Sequence, residues 1–387
     1  MTQPTLRPLL YGMAAALLGI GLARFAYTAI LPGLIDQGWF TAAGAAWLGA
    51  ANLFGYTLGA LLATRMAVRW GQLRLIRVSA VLVVLSFLLC SWPLGFPVFF
   101  LARLVSGVFG AVLMVVVPAA MLRLLPEGNR VWGGAAIFSG VGLGILLSAT
   151  LVQWLMVAGM TLAWLGLTFL GVLTLWLLLG PWPGREVPAM TRPASSIDSR
   201  QPALLLVYGV YACDAIGFIP HTLFWVDYLQ RHLALTAQQG ALQWGLFGLG
   251  ALLGPFVMGV LGRRHGWEKV LIGGLLVKAL AVGLPVLHSA IWSLSLSSLL
   301  VGALIPGMVA TVSGRLSELT TATGHVHAWG IATATFACIQ GLMAGVFVAL
   351  YASESYPVDG VFLLAAFALL TGALLAAAPH RGRLVRA

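Results

Sequence analysis

The chain has 387 residues, of which 60% are hydrophobic and only 8% charged, with a formal net charge of +11. So much apolar material excludes an ordinary soluble domain, and apolar stretches of 18 or more residues, each long enough to cross a bilayer as a helix, recur throughout. The basic balance does not mark a nucleic-acid binder, because it is gathered into alternate loops.

Backbone groups in hydrocarbon must be paired within the segment, which favours helices, and the weak alternation of a membrane β-barrel is absent. Breaks at charged or Pro/Gly clusters give twelve spans: 9–31, 41–63, 75–92, 97–122, 131–156, 160–180, 203–229, 236–261, 270–288, 290–312, 328–350 and 359–378. With the N-terminus placed in the cytoplasm, 17 of the 21 Lys and Arg residues fall in cytoplasmic segments, one (Arg231) falls outside, and three lie within spans. That asymmetry is the positive-inside pattern of an inner (plasma) membrane protein of bacterial type, with both termini cytoplasmic. Arg7 ahead of the first span could pass for the start of a signal peptide, but the span is too long for one. Cys90, Cys213 and Cys338 lie in different spans and read as small buried hydrophobes.

The first span carries GIGLARFAYTAILP, residues 19–32, with a permanent cation inside it. A mid-membrane Arg costs about 2.5–3.5 kcal/mol and normally faces protein or a wet cavity. Tyr27 and Thr28 follow Arg24 at i+3 and i+4, so the three are expected on one face. The bland alternative is an Arg that snorkels to the headgroups. Asn52 and Tyr56 share a face of span 2, and Arg103 in span 4 precedes Gly107 and Gly110, small residues suited to close helix packing. Between the halves, PWPGREVPAMTRPASSIDSRQP (181–202) has the composition of a flexible cytoplasmic linker.

In span 7, Asp214 is the carboxylate read as intramembrane, and His221 lies seven residues on, two turns later on the same face. Pro220 between them cannot donate to the Ile216 carbonyl, and Gly217 loosens the same turn. Asp214 is therefore the best candidate proton carrier, or else one half of a structural pair with an Arg from the first half. His221 is either titratable or a hydrogen-bonded packing residue. Trp225 reads as interfacial belt, and Gln243 and Gln340 as hydrogen-bonding partners within the helices. Lys278, near the start of span 9, reads as a snorkelling side chain. His325 and His327, two residues apart in a loop, lack further metal ligands.

Shifting the chain by 195 residues aligns Gly55 with Gly250, Gly59 with Gly254, Arg69 with Arg264, Gly71 with Gly266, Arg74 with Lys269 and Gly107 with Gly302. With six spans per half, both halves enter from the same side, which makes a parallel repeat. The expected organisation is an N-terminal six-helix bundle (1–180), the linker (181–202) and a C-terminal six-helix bundle (203–387). At the same shift Arg24 meets Ile219, Arg103 meets Ser298 and Asp214 meets Gly19. Arg24, Arg103 and Asp214 together leave a surplus positive charge, which favours an anionic ligand.

This layout resembles the major facilitator superfamily, and GIGLARFAYTAILP with DAIGFIPHTLFWVDYL (214–229) resembles its YbfB/YjiJ-type branch. The superfamily's G-x-x-x-D-R-x-G-R-R loop after helix 2 appears here as Thr64, Val68, Arg69, Gly71 and Arg74, without the glycine and the aspartate. The second copy keeps Gly259, Arg264, Gly266 and Lys269, with Arg263 in the aspartate's place. Arg103-x-x-x-Gly107-x-x-Gly110 is similar to the superfamily's helix 4 motif, whose arginine is often linked to proton coupling. Gly140-x-Gly142-x-Gly144 lacks the proline of the antiporter signature in helix 5.

The resemblance implies an all-α membrane protein of twelve transmembrane helices in two bundles. It further implies a monomeric, non-enzymatic secondary transporter that moves a small solute by alternating access, with no cofactor and a proton gradient as driving force. The expected site residues are Arg24, Tyr27, Asn52, Arg103, Asp214, His221, Gln243 and Gln340. The expected solute is a small organic anion. The alternatives are an exporter of lipophilic or cationic compounds that uses Asp214 for capture, and a membrane receptor or enzyme. No G-x-x-x-x-G-K-[ST] phosphate loop is present, and no nucleophile–base spacing stands out.

Overall fold

A computed structural model describes residues 3–184, 201–353 and 355–378. Most of the expected linker and the basic residues at the C-terminus lie outside them. Twelve helices are long and apolar enough to span a membrane: α1 Leu6–Asp36, α2 Ala42–Trp70, α3 Gln72–Leu89, α4 Phe96–Arg123, α5 Trp132–Ala158, α6 Met160–Leu179, α7 Pro202–His232, α8 Ala237–His265, α9 Trp267–Leu287, α10 Ile291–Leu319, α11 His327–Tyr351 and α12 Val358–Ala377. No strand occurs among the described residues. The face where α1 begins and α12 ends is called the terminal face below, and the opposite one the far face.

The 195-residue repeat is visible in local chemistry. Thr41 and Thr236 each cap a helix, accepting from Gly44 N and Gln239 N, so α2 and α8 start in the same way. Gly71 and Gly266 end those helices with φ near +80° and +86°, a backbone region where a Cβ is strained.

The two tightest helix pairs, α2 with α4 and α8 with α10, are also equivalent. A Cβ on Gly55 would strike the Leu104 carbonyl, on Gly59 that of Val108, and on Gly107 that of Asn52. A Cβ on Gly250, Gly254 or Gly302 would strike the carbonyls of Leu299, Ala303 or Phe247. Each contact in the second set is its counterpart in the first shifted by the same 195 positions. Lipid supplies no hydrophobic drive between helices, so close backbone contact of this kind supplies the packing energy.

Among the first six helices, α1 packs on α4 and α5, and α3 on α4 and α6. Among the last six, α7 packs on α11 and α12, and α9 on α10 and α12. Two broad contacts join the sets, α5 with α8 and α2 with α11, which are again repeat-related. A narrower third contact brings α1 against α7, with the Thr28 hydroxyl donating to the Thr222 carbonyl.

Neither of these last two helices is regular. Leu17–Phe25 of α1 is wound as a π-helix, as are Pro220–Phe224 and Tyr228–His232 of α7. The wider turns re-aim side chains and shift carbonyls out of the ordinary ladder, and such segments occur often at functional sites. In α7 the irregularity begins at Pro220, whose ring removes a backbone donor.

Gly107→Val and Gly302→Val are expected to fail alike, because each drives a side chain into a helix backbone that cannot recede. Size-exclusion profiles of detergent-solubilised protein should show aggregation for both variants. Gly209→Val is the control, since a Cβ there meets nothing within 4 Å.

Candidate functional site

The sequence-predicted polar residues of the helices sort into three places. The first is the interior of the first six helices. There the Arg103 Nη1 donates to the Ala23 carbonyl at 2.8 Å, and its guanidinium lies 4.3 Å from the Tyr27 ring centroid. Asn52 Nδ2 donates to Ser106 Oγ at 2.9 Å and to the same Ala23 carbonyl at 3.2 Å. Ala23 lies in the π-wound stretch of α1, which gives both side chains an acceptor. The Tyr27 hydroxyl donates to the Ala45 carbonyl at 2.7 Å. Arg103 is thus held inside the protein and does not snorkel to a headgroup.

The second place is the interior of the last six helices. Lys278 Nζ meets Asp214 Oδ1 at 2.7 Å, and the two side chains are 0% and 3% exposed. His221 Nε2 lies 2.9 Å from Ser297 Oγ, which donates to the Ala281 carbonyl, and its ring stacks on Trp225 at 4.3 Å. Trp225 Nε1 donates to Ser298 Oγ, Ser298 to Gln243 Oε1, and Gln243 Nε2 to Ser295 Oγ, each at 2.9–3.0 Å. This chain of groups runs from Trp225 to the half-buried Ser295, while His221 Nδ1 is left without a partner.

The third place is the seam between the two sets, and it holds Arg24. The residue is 7% exposed. Its Nη2 donates to Gln340 Oε1 on α11 at 3.0 Å, and the guanidinium lies 4.4 Å from the Phe218 centroid on α7. The rings of Tyr56 and Phe25 are at 5.5 and 5.6 Å. None of the ion pairs among the described residues involves Arg24. Arg24 Nε and Gln340 Nε2 are buried donors without an acceptor. On the far side of this level the seam is shut by the Thr28–Thr222 bond and by Leu223 lying against Gly49.

Several expectations are corrected by this arrangement. Asp214 does not pair with Arg24 or Arg103; its face of α7 turns inward to α9, where Lys278 meets it. Lys278 does not snorkel, because α9 is enclosed on that side by α10 and α12. Tyr27 does not share a face with Arg24 and Thr28: its ring lies against Arg103 inside the first six helices, whereas Arg24 and Thr28 both meet α7, through Phe218 and Thr222. Trp225 is fully buried and no part of an interfacial belt. Asp214 and His221 do lie on one face, Asp214 meeting Lys278 of α9 and His221 meeting Ser297, which bonds Ala281 of α9.

Asp227 escaped the sequence reading as a second acid within α7. It is buried at the far face, where it accepts from the Tyr351 hydroxyl at 2.7 Å and pairs with Arg231 at 3.2 Å. Its place one turn before Arg231 was the available signal. Among the described residues, no group of three or more His, Cys, Asp or Glu could hold a metal ion, and His325 bonds Ser313 instead.

No curated protein matches the chain. Among solved structures, a D-xylose–proton symporter shares the fold with a TM-score of 0.74 and 18% sequence identity, over 98% of this chain and 99% of that one. A family model described as "Uncharacterised MFS-type transporter YbfB" matches residues 16–377. With twelve membrane-length helices and a buried cation at the seam of the repeat, that match places the chain in the YbfB-type family of the major facilitator superfamily, as a secondary transporter.

Proposed function

We propose that this protein moves a small organic anion by alternating access, coupled to protons, with the terminal face cytoplasmic and Arg24 as the anion contact. The observation that carries the reading is a guanidinium buried at the seam with no acidic partner and two idle donors around it. A cation in hydrocarbon is tolerated where counter-charge can reach it, and an anionic solute supplies that charge transiently. The seam is also where a rocking motion of residues 1–180 against 203–387 would change exposure. The shut far side and the half-buried residues toward the terminal face fit a state that loads or releases solute from the cytoplasm.

Coupling is assigned to Asp214 and Lys278. Protonating Asp214 removes the charge that holds the ammonium and leaves it uncompensated among α7, α9 and α12. An unpaired buried charge costs about 3–5 kcal/mol, enough to bias a two-state equilibrium. Asp214 shares α7 with Phe218 and Thr222, which touch Arg24 and Thr28, so a shift of this helix reaches the seam directly. The competing reading, an exporter that captures cations on Asp214, is disfavoured because Lys278 already occupies that carboxylate and neither group opens on the seam.

In proteoliposomes with an imposed pH gradient, Arg24→Gln is expected to abolish carboxylate uptake and Arg24→Lys to leave a fraction of it. Uptake by Arg24→Gln at the unmodified rate removes Arg24 from the anion site. Asp214→Asn should keep solute exchange across the membrane while losing accumulation driven by the gradient. In thermal melts in detergent, Lys278→Met alone should destabilise by about 3–5 kcal/mol, and the double variant Asp214→Asn with Lys278→Met by much less.

A further inference from the structure

The identity of the two idle donors constrains what binds between them. Arg24 can only donate, so it holds the Gln340 amide with its oxygen inward and leaves Nε2 facing away without a partner. Arg24 Nε is equally without an acceptor. A ligand that completes both must accept at more than one position and carry negative charge to balance the guanidinium. A carboxylate does both; an ammonium does neither, and a neutral hydroxyl leaves the cation uncompensated.

The surroundings describe the rest of the ligand. Tyr211 and Phe218 stand seven residues apart on α7, and Trp329 and Phe336 seven apart on α11, so each pair lines one face of its helix. The rings interlock: Tyr211 lies 4.5 Å from Phe336 and 6.2 Å from Trp329, and Phe218 lies edge-on to Phe336 at 5.7 Å. Gln340 follows Phe336 by one turn. An aromatic strip therefore runs along α7 and α11 from the terminal-face side and stops at the two donors. Trp329 and Phe336 are only half-buried, so part of their surface is left open to a guest. A second carboxylate would find no second cation there, since Arg103 faces the interior of the first six helices.

We infer that the solute held at Arg24 is an aromatic monocarboxylate, its carboxylate on Arg24 and Gln340 and its ring against Phe336. This inference rests on the anion reading and adds the body of the molecule to it. Offset or edge-on contact with the Phe336 ring selects a flat aromatic body over an aliphatic one of the same charge.

The test uses the full-length protein in nanodiscs with radiolabelled benzoate, measured as saturable binding, and competition by acetate and benzamide. Benzoate is expected to bind. Acetate should compete about tenfold more weakly for want of a ring, and benzamide not at all for want of charge. Phe336→Leu, which keeps the site apolar, should weaken benzoate about fivefold to tenfold and leave acetate unchanged. Acetate competing as well as benzoate, or benzoate unmoved by Phe336→Leu, overturns the aromatic inference while the anion site stands. Benzoate binding that survives Arg24→Gln overturns the anion reading itself, and with it this one. No saturable benzoate binding in the unmodified protein overturns the inference outright.

Discussion

A guanidinium in a low-dielectric interior must find acceptors, and everything about the centre of this protein follows from where they are found. Arg103 takes a backbone carbonyl and an aromatic face inside the first six helices, with its Nε left without an acceptor. Lys278 takes a carboxylate inside the last six. Arg24 receives one amide oxygen and three ring faces, which offset the cost of burial only in part. The site is thus marked by its place at the seam together with the donors left over around it. Of these three cations, Lys278 is matched by an opposite charge, Arg103 and Arg24 only by neutral groups, and Arg24 is the one that lies between the two sets of helices.

The irregular helices are part of that arrangement. The π winding of α1 runs from Leu17 to Phe25, and at its end Arg24 and Thr28 turn to Gln340 and α7 while Tyr27 turns to Ala45 in the first six helices. It also turns the Ala23 carbonyl to Arg103 and Asn52, which ties the seam to the interior behind it. α7 answers with its own wide turns around Pro220, where the Thr222 carbonyl accepts from α1. A helix whose ladder is already loosened resists bending less than a regular one.

The helix count, the two-fold design and the intramembrane placement of Arg24 were legible in the sequence, because each rests on a quantity the sequence carries: run length, repeat spacing and the cost of charge in oil. The choice of partner was not. Asp214 could be placed mid-helix, but which of three cations it met depended on the rotation of α7, and that is set by packing against α9 and α12. Lys278 was expected to snorkel because it lies near the start of its span, and burial by α10 and α12 leaves no trace in α9's own residues. The π winding of α1 was likewise invisible, since Leu17–Phe25 contains no proline and the Arg24 within it signals a cost of burial, not a change of winding.

The repeat itself shows how a symmetric frame comes to hold an asymmetric site. The glycines at 55, 59 and 107 and those at 250, 254 and 302 meet the same backbone atoms in both halves, and a side chain at any of them would part a helix pair. Those positions can hold little else, so they stay alike. Positions that face interior gaps carry no such restriction. Gly19 and Asp214 are equivalent by the 195-residue shift. A Cβ on Gly19 would press on Gly110, so that half uses the position for a close approach of α1 to α4. The other half widens the same place enough to hold a carboxylate and the ammonium opposite it. Arg24 and Ile219 diverge in the same sense, one at the seam with donors to spare and the other sealed in an apolar core. Backbone contact keeps the two halves alike in frame. The residues released from that contact supply a cation on one side and an acid on the other, and only a frame built twice has such equivalent positions to differentiate.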